Sequence, residues 1–344
     1  MFTFKPVENS TNIEVSVREE FKLADYNFNH EPCILPHKYE KYAERIHNLK
    51  IYEDDVWIIT FPKSGTTWTQ EIVWLLDNNL DFAGAKETDL YKRSRFIERC
   101  IFDVIDYDSV EFVENMPRPR HIKTHLPVAL LPKQLWIVKP KIIYVARNPK
   151  DTAISYYHHY VNIFGYTGTK KDFLNSFIEE RVIHCPYFSH ILNFWELRHE
   201  ENIISFTYED LQFDKKDVIA KLCKFFGKMY SNAQLLELMK HTSFNSMRDN
   251  RSCNLVDVIK NTKKKYNLTD SDYSFIRKGI TGSYKTEMSK EFNEKFDKWI
   301  NLKLKNTDFK FNFCKMKMTV LQYCVQIGKS QLSCNFKIFL YYKN

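Results

Sequence analysis

A short apolar run rich in β-branched residues, Val56-Trp57-Ile58-Ile59-Thr60, ends in Phe61-Pro62-Lys63-Ser64-Gly65-Thr66-Thr67-Trp68, and apolar side chains then return at helical spacing as far as Leu76. The pattern predicts a strand, a tight loop and a helix. Glycine is scarce, eight in 344 residues, so one held between a strand end and a helix start marks a place where backbone must approach a ligand closely. The hydroxyls of Ser64, Thr66 and Thr67, the free amides of the helix start and the charge of Lys63 together suit a phosphate-sized anion. A capped helix after a tight turn is the plainer reading of the same residues.

Further along, His121 to Thr124 is a second strand candidate, fenced by Pro117, Pro119 and Pro127. Lys141 to Ala146 is a third, apolar almost throughout, as a strand covered on both faces should be. A helix is expected from Pro149 to about Tyr160, a fourth strand at Asn202 to Phe206, and further helices over Tyr39 to Leu49, Tyr187 to Arg198, Lys216 to Phe226 and Ala233 to Lys240. Strands alternating with helices imply the α/β class: a central parallel β-sheet with helices on both faces and a P-loop-like strand-loop-helix. Ligands in such sheets bind at the carboxyl ends of the strands.

Two more segments fall at such ends, and a third lies near the end of the chain. Arg147 follows the Lys141 strand in Arg147-Asn148-Pro149-Lys150-Asp151, with Ser155 two helical turns beyond Asn148. A guanidinium there is placed to fork onto a second phosphate. In Lys123-Thr124-His125-Leu126-Pro127, a histidine two residues from a lysine can take a proton from an acceptor hydroxyl, whose pKa is near 10 for a phenol against about 6.5 for imidazole. Arg277-Lys278-Gly279 sets two cations beside a glycine. A nucleotide triphosphatase would need its lysine after the glycines and an aspartate at a strand end for magnesium, whereas Lys63 precedes one glycine and the Lys141 strand ends in Arg147. His121 and His125 are four apart, but flanking prolines argue against the helix a metal pair would use, and no metal is expected.

The net charge of +8 does not announce a nucleic-acid partner, because residues 301–344 carry +7 of it and leave the body nearly neutral. No apolar run reaches the roughly 18 to 20 residues of a membrane helix, and the start MFTFKPVENS has no leader character. Eight scattered cysteines without a CxxC pair read as reduced thiols. A cytoplasmic location and no stable membrane insertion follow as expectations.

Taken together, P-K-S-G-T-T-W, K-T-H-L-P, Y-V-A-R-N-x-K-D and R-K-G resemble the cytosolic sulfotransferase family from about Leu35 to Trp299. That family moves a sulfuryl group from 3′-phosphoadenosine 5′-phosphosulfate (PAPS) to a hydroxyl or amine of a small molecule. The resemblance implies a sulfotransferase domain over 51–300, an N-terminal extension over 1–50 packing on it, and an atypical basic tail over 301–344. It implies that Lys63, Ser64, Gly65, Thr66, Thr67 and Trp68 hold the 5′-phosphosulfate, with Lys63 on the leaving oxygen. Arg147, Ser155, Arg277, Lys278 and Gly279 would hold the 3′-phosphate, and Trp68, Tyr208, Thr242, Phe244 and Met247 the adenosine. His125 would be the catalytic base, with Lys123 its companion, and Phe96, His125 and His159 would face the acceptor, with Tyr156, Tyr157 and Phe164 as further candidates. A phenol or steroid is the implied acceptor class. A retinol-dehydratase-like enzyme and a non-catalytic nucleotide-binding homologue are the alternatives. The chain departs from the family at Gly282-Ser283-Tyr284-Lys285, where an acid and a tryptophan are usual. It departs again at Lys285, Ser289, Lys290 and Glu294, where a lysine replaces the valine of the dimer motif and sets like charges against each other across a two-fold contact. The family homodimer is therefore not expected.

Overall fold

Consecutive branched apolar residues suit a strand that is covered on both faces, and the strands at the centre of this molecule are built from such runs. The structure, a computed structural model, describes residues 2–17, 28, 30–103, 107–267 and 273–311. Its strands are β1 (Phe2–Pro6), β2 (Asn12–Val17), β3 (Cys33–Pro36), β4 (Val56–Thr60), β5 (Arg95–Phe96), β6 (His121–Thr124), β7 (Lys141–Ala146) and β8 (Ile203–Thr207). The main sheet has the order β5-β6-β4-β7-β8 and is parallel throughout. All five residues of β4 are buried, and Val56 opens the pairing with both His121 and Lys141. The chain passes from β4 to a neighbour on either side, so β4 is the point where strand order reverses. A crevice opens there at the carboxyl ends.

Local chemistry starts each helix at that edge. Gly65, with φ of 97°, turns the chain out of β4 into the Thr66–Asp77 helix. That helix lays Ile72, Val73, Leu75 and Leu76 against Val56, Ile58, Ile143 and Val145 of the sheet. Asn148 caps the Pro149–Ile163 helix by accepting from the Lys150 N–H, with proline in the first turn. Thr207 and Asp210 form a reciprocal capping box that starts the Tyr208–Phe213 helix at the end of β8.

The first 50 residues hold more structure than their polar composition suggests. An antiparallel sheet β1-β2-β3 precedes the Tyr39–His47 helix. It turns Ile13 and Val15 inward, and β3 is further tied to a distant loop, Ile34 N–H donating to Cys185 O at 2.9 Å and His184 N–H to Ile34 O at 2.7 Å. At the other end, the boundary expected at 300 falls inside the Lys290–Leu304 helix, and Arg198 pairs with Asp308 at 2.9 Å, so the compact body runs on to Lys310. The greater part of the tail expected over 301–344, from residue 312 onward, lies outside the described residues. Among the described residues no helix is long and apolar enough to cross a membrane.

Candidate active site

The ends of β4, β6, β7 and β8 open into one cavity of about 320 Å³. Its wall gathers Lys63, Gly65, Thr66, Thr67, Trp68, Phe96, Lys123, His125, Arg147, Ser155, His159, Tyr208, Thr242, Phe244, Met247, Arg277, Lys278 and Gly279. Two of the expected side chains are not in that wall. Ser64 is fully buried behind the loop, with its hydroxyl facing the interior and its N–H donating to Phe61 O, because the loop needs its backbone rather than its side chain on the inside of the turn. Tyr157 packs against Tyr166 and Phe173 on the far side of its helix.

At one end of the cavity the loops are bound to one another by side chains that also face inward. Lys63 and Gly65 both adopt positive φ, 68° and 97°, and a methyl on Gly65 would stand 2.7 Å from Tyr208 Cδ2, so this position tolerates only glycine. Arg147 lies over the Tyr208 ring at 4.1 Å and donates to Lys63 O at 2.9 Å and Ile280 O at 3.2 Å. One guanidinium thus joins the loops after β4 and β7 to the Arg277 segment. Trp68 Nε1 donates to Thr242 O at 2.8 Å, and its ring meets Tyr208 edge-on at 5.7 Å. Gly279, φ 61°, backs onto Phe244 so closely that a Cβ would come within 2.1 Å of Cδ2. Arg277 and Lys278 are held by one carboxylate, Glu287, at 2.8 and 2.6 Å, with His158 on its other oxygen at 2.7 Å. Burial alone would raise the pKa of Glu287, but these three donors hold it down at about 2. The arrangement is a cradle lined by cations and backbone, suited to an anion with two separated charged groups.

At the other end stands His125, 7% exposed. Its Nδ1 lies 2.7 Å from Thr60 O, a carbonyl that can only accept, so the proton sits on Nδ1 and Nε2 keeps a free lone pair. The His125 backbone N–H donates to Glu98 Oε1 at 2.6 Å, and its ring is gripped edge-on by Phe96 at 5.1 Å and His184 at 5.4 Å. Burial, then Lys123 and His184, keep the imidazole pKa well below its ordinary value, so the ring is a neutral base near pH 7. Lys123 Nζ lies 4.3 Å over the Phe96 ring, and burial with Arg99 nearby lowers it to about 8. Lys63 Nζ lies 4.2 Å over Phe275, and burial, followed by Lys123, Arg147 and Arg277, lowers it to about 7. Cations crowded enough to discourage one another's protonation describe a site built to receive negative charge. His121 takes no part in it, since its Nε2 meets Asp77 Oδ2 at 2.8 Å near the opposite end of the strand.

Motif reasoning missed Arg99, Phe102, His184, Phe275 and Lys215, all of which also line the cavity. They come singly from loops and helices, with no spacing to mark them. His184 carries one signal that only backbone geometry shows, a φ of 68° on a residue that is not glycine.

A family model described as a sulfotransferase domain matches residues 53–308. A luciferin sulfotransferase of Photinus pyralis is 35% identical over 327 residues, 89% of this chain and 87% of that protein. Sulfotransferase 1 family member D1 of Mus musculus is 38% identical over 269 residues, 78% of this chain and 89% of that protein. Among solved structures, retinol dehydratase in complex with androsterone and the inactive cofactor PAP superimposes with a TM-score of 0.79 at 25% identity, covering 90% of this chain and 98% of that one.

Proposed function

Because this chain belongs to the sulfotransferase family and is a transferase of sulfuryl groups, we propose that its donor is PAPS and its acceptor a hydroxyl or amine of a small lipophilic molecule, such as a phenol or steroid. The loop Lys63 to Trp68 receives the 5′-phosphosulfate end, and Arg147, Ser155, Arg277, Lys278 and Gly279 receive the 3′-phosphate. Trp68, Tyr208, Thr242, Phe244 and Met247 enclose the adenosine. The residues fit such a ligand on physical grounds, because Lys63 and Lys123 face the cavity without a carboxylate partner among the described residues. The donor supplies an electrophilic sulfur with a phosphate leaving group.

His125 Nε2 takes the proton as the acceptor oxygen bonds to sulfur, and the electron pair of the breaking S–O bond leaves on the 5′-phosphate. Lys63 and the loop amides offset the charge that builds there, and Lys123 steadies charge on the transferring group. One observation carries this assignment: the Nδ1–H to Thr60 O bond commits the other ring nitrogen to the cavity as a base. His125→Ala should lower turnover by about 10²- to 10⁴-fold while the affinity for the product nucleotide PAP, read by calorimetry, is retained. Turnover near the parent level would remove His125 from the chemistry.

The retinol dehydratase likeness favours a second reading, in which a sulfated intermediate loses sulfate on the same scaffold. Mass analysis separates the two, a stable sulfate ester against a dehydrated hydrocarbon. A purely nucleotide-binding role is disfavoured because Lys63, Lys123 and His125 all stand in the wall. A cytoplasmic site of action fits the five described cysteines, each a free buried thiol. A chain that does not form the family homodimer fits Lys290 at the altered motif.

A further inference from the structure

Around His125 the cavity has aromatic walls. Phe102 and Phe164 stack on one another at 5.1 Å and 12°, and with Phe96 and Phe275 they give an aromatic wall against which a flat ring can lie. The same cavity holds polar groups that the protein leaves unmet. Arg99, on the short helix after β5, is half-buried and has neither an ion pair nor a side-chain hydrogen bond to any of the described residues. His184 is 2% exposed, neither ring nitrogen has a hydrogen-bond partner among the described residues, and its nearest carboxylate oxygen, on Glu98, is 3.8 Å away. His159 packs on Phe164 at 5.0 Å with its Nδ1 likewise buried and unmet.

Buried polar groups without partners are destabilising and uncommon in native proteins. Two such imidazoles in one ligand-sized cavity, beside a half-buried guanidinium with no ion pair among the described residues, point to a ligand that meets them. His184 is moreover held in left-handed backbone by its N–H bond to Ile34 O, a strain that persists only where the surroundings enforce it. Arg99 is not among the residues assigned to the donor, and its charge falls on Lys123 and His159 beside the aromatic wall. We propose that Arg99, with His159 and His184, forms an anion anchor in the acceptor part of the cavity, and that the favoured acceptors are hydroxyaryl carboxylic acids, whose ring lies on the aromatic wall while the carboxylate meets the guanidinium. This rests on the sulfuryl-transfer reading and narrows its acceptor class. Arg99 presents a planar fork that matches a carboxylate, and the two imidazoles, kept neutral by burial, each offer one donor and one acceptor.

The test is calorimetry on the PAP-loaded protein with 4-hydroxybenzoate, 3-(4-hydroxyphenyl)propionate and 6-hydroxy-2-naphthoate, each against its methyl ester. At least one acid should bind about 10-fold or more tightly than its ester. Arg99→Met should bring that acid to the level of the ester without changing PAP affinity, and Arg99→Lys should restore part of the preference. Esters binding as tightly as acids throughout, or Arg99→Met weakening acid and ester alike, would overturn the anchor. The titrations are repeated without PAP, so that failure of PAP to bind counts against the donor reading while the acid-to-ester ratio still decides the anchor.

Discussion

Raising the pH should release the nucleotide, and the size of the effect follows from one lysine. In the free protein Lys63 titrates at about 7, because it is desolvated and faces Lys123, Arg147 and Arg277. A phosphate brought against it reverses that balance and returns its pKa toward or above the usual 10.5. Binding between those two values therefore takes up a proton. The sign is fixed: affinity is greatest below the free pKa and falls as pH climbs through it. At about pH 7 half the free lysines carry their charge and at about pH 9 roughly one in a hundred, so PAP affinity should fall about 50-fold, or about 2.3 kcal/mol. The ligand's own phosphates do not offset this, since their second ionisation near 6 is largely complete by about pH 7. Calorimetry in two buffers of different ionisation heat should show proton uptake rising from about 0.5 towards about 1 across that range. Lys63→Met should weaken binding at neutral pH and flatten the dependence. An affinity constant between pH 7 and 9, with no proton uptake, would refute the reasoning that the cradle's own cations suppress Lys63.

Glu287 occupies Arg277 and Lys278, so any anion they receive must displace it. Glu287→Gln should tighten PAP by about 3- to 10-fold at low salt, on the usual worth of two partly exposed ion pairs, and a titration showing equal or weaker binding would contradict the competition. Gly279→Ala should lower the thermal midpoint and weaken PAP together, because the new methyl meets Phe244 at 2.1 Å in a backbone region that side chains avoid. A cost of about 1 to 3 kcal/mol is expected, and an unchanged melting curve would show that the loop yields freely.

The half of the cavity proposed to face the nucleotide was legible because its parts are local. Val56–Thr60, His121–Thr124 and Lys141–Ala146 are strands at the bounds their apolar runs imply, and the chemistry follows each within a few residues. Pro149 marked the start of the next helix in the same way. The acceptor half was less legible for the opposite reason. Arg99, Phe102, His184 and Phe275 reach one cavity from separate segments, and nothing in the spacing of an isolated arginine or histidine reports where a loop will carry it. β1, β2 and β3 also escaped reading, since each is short and carries polar residues among its apolar ones, although β1 and β2 form a local hairpin. The buried hydroxyl of Ser64 shows a further limit of motif logic, because a loop that binds through backbone does not need every polar side chain on its inner face.

The two hydrogen bonds between Ile34 and the 184–185 loop have a practical bearing on how this enzyme is handled. The sulfotransferase domain model begins at residue 53, and a protein shortened to that point would still contain every group assigned to the nucleotide. It would lack the strand that props His184 in its uncomfortable pose. Such a truncated enzyme would lose that support together with the fully buried side chains of Leu35, Tyr39, Ala43 and Ile46, so screens for natural substrates belong on the chain with its first 52 residues attached.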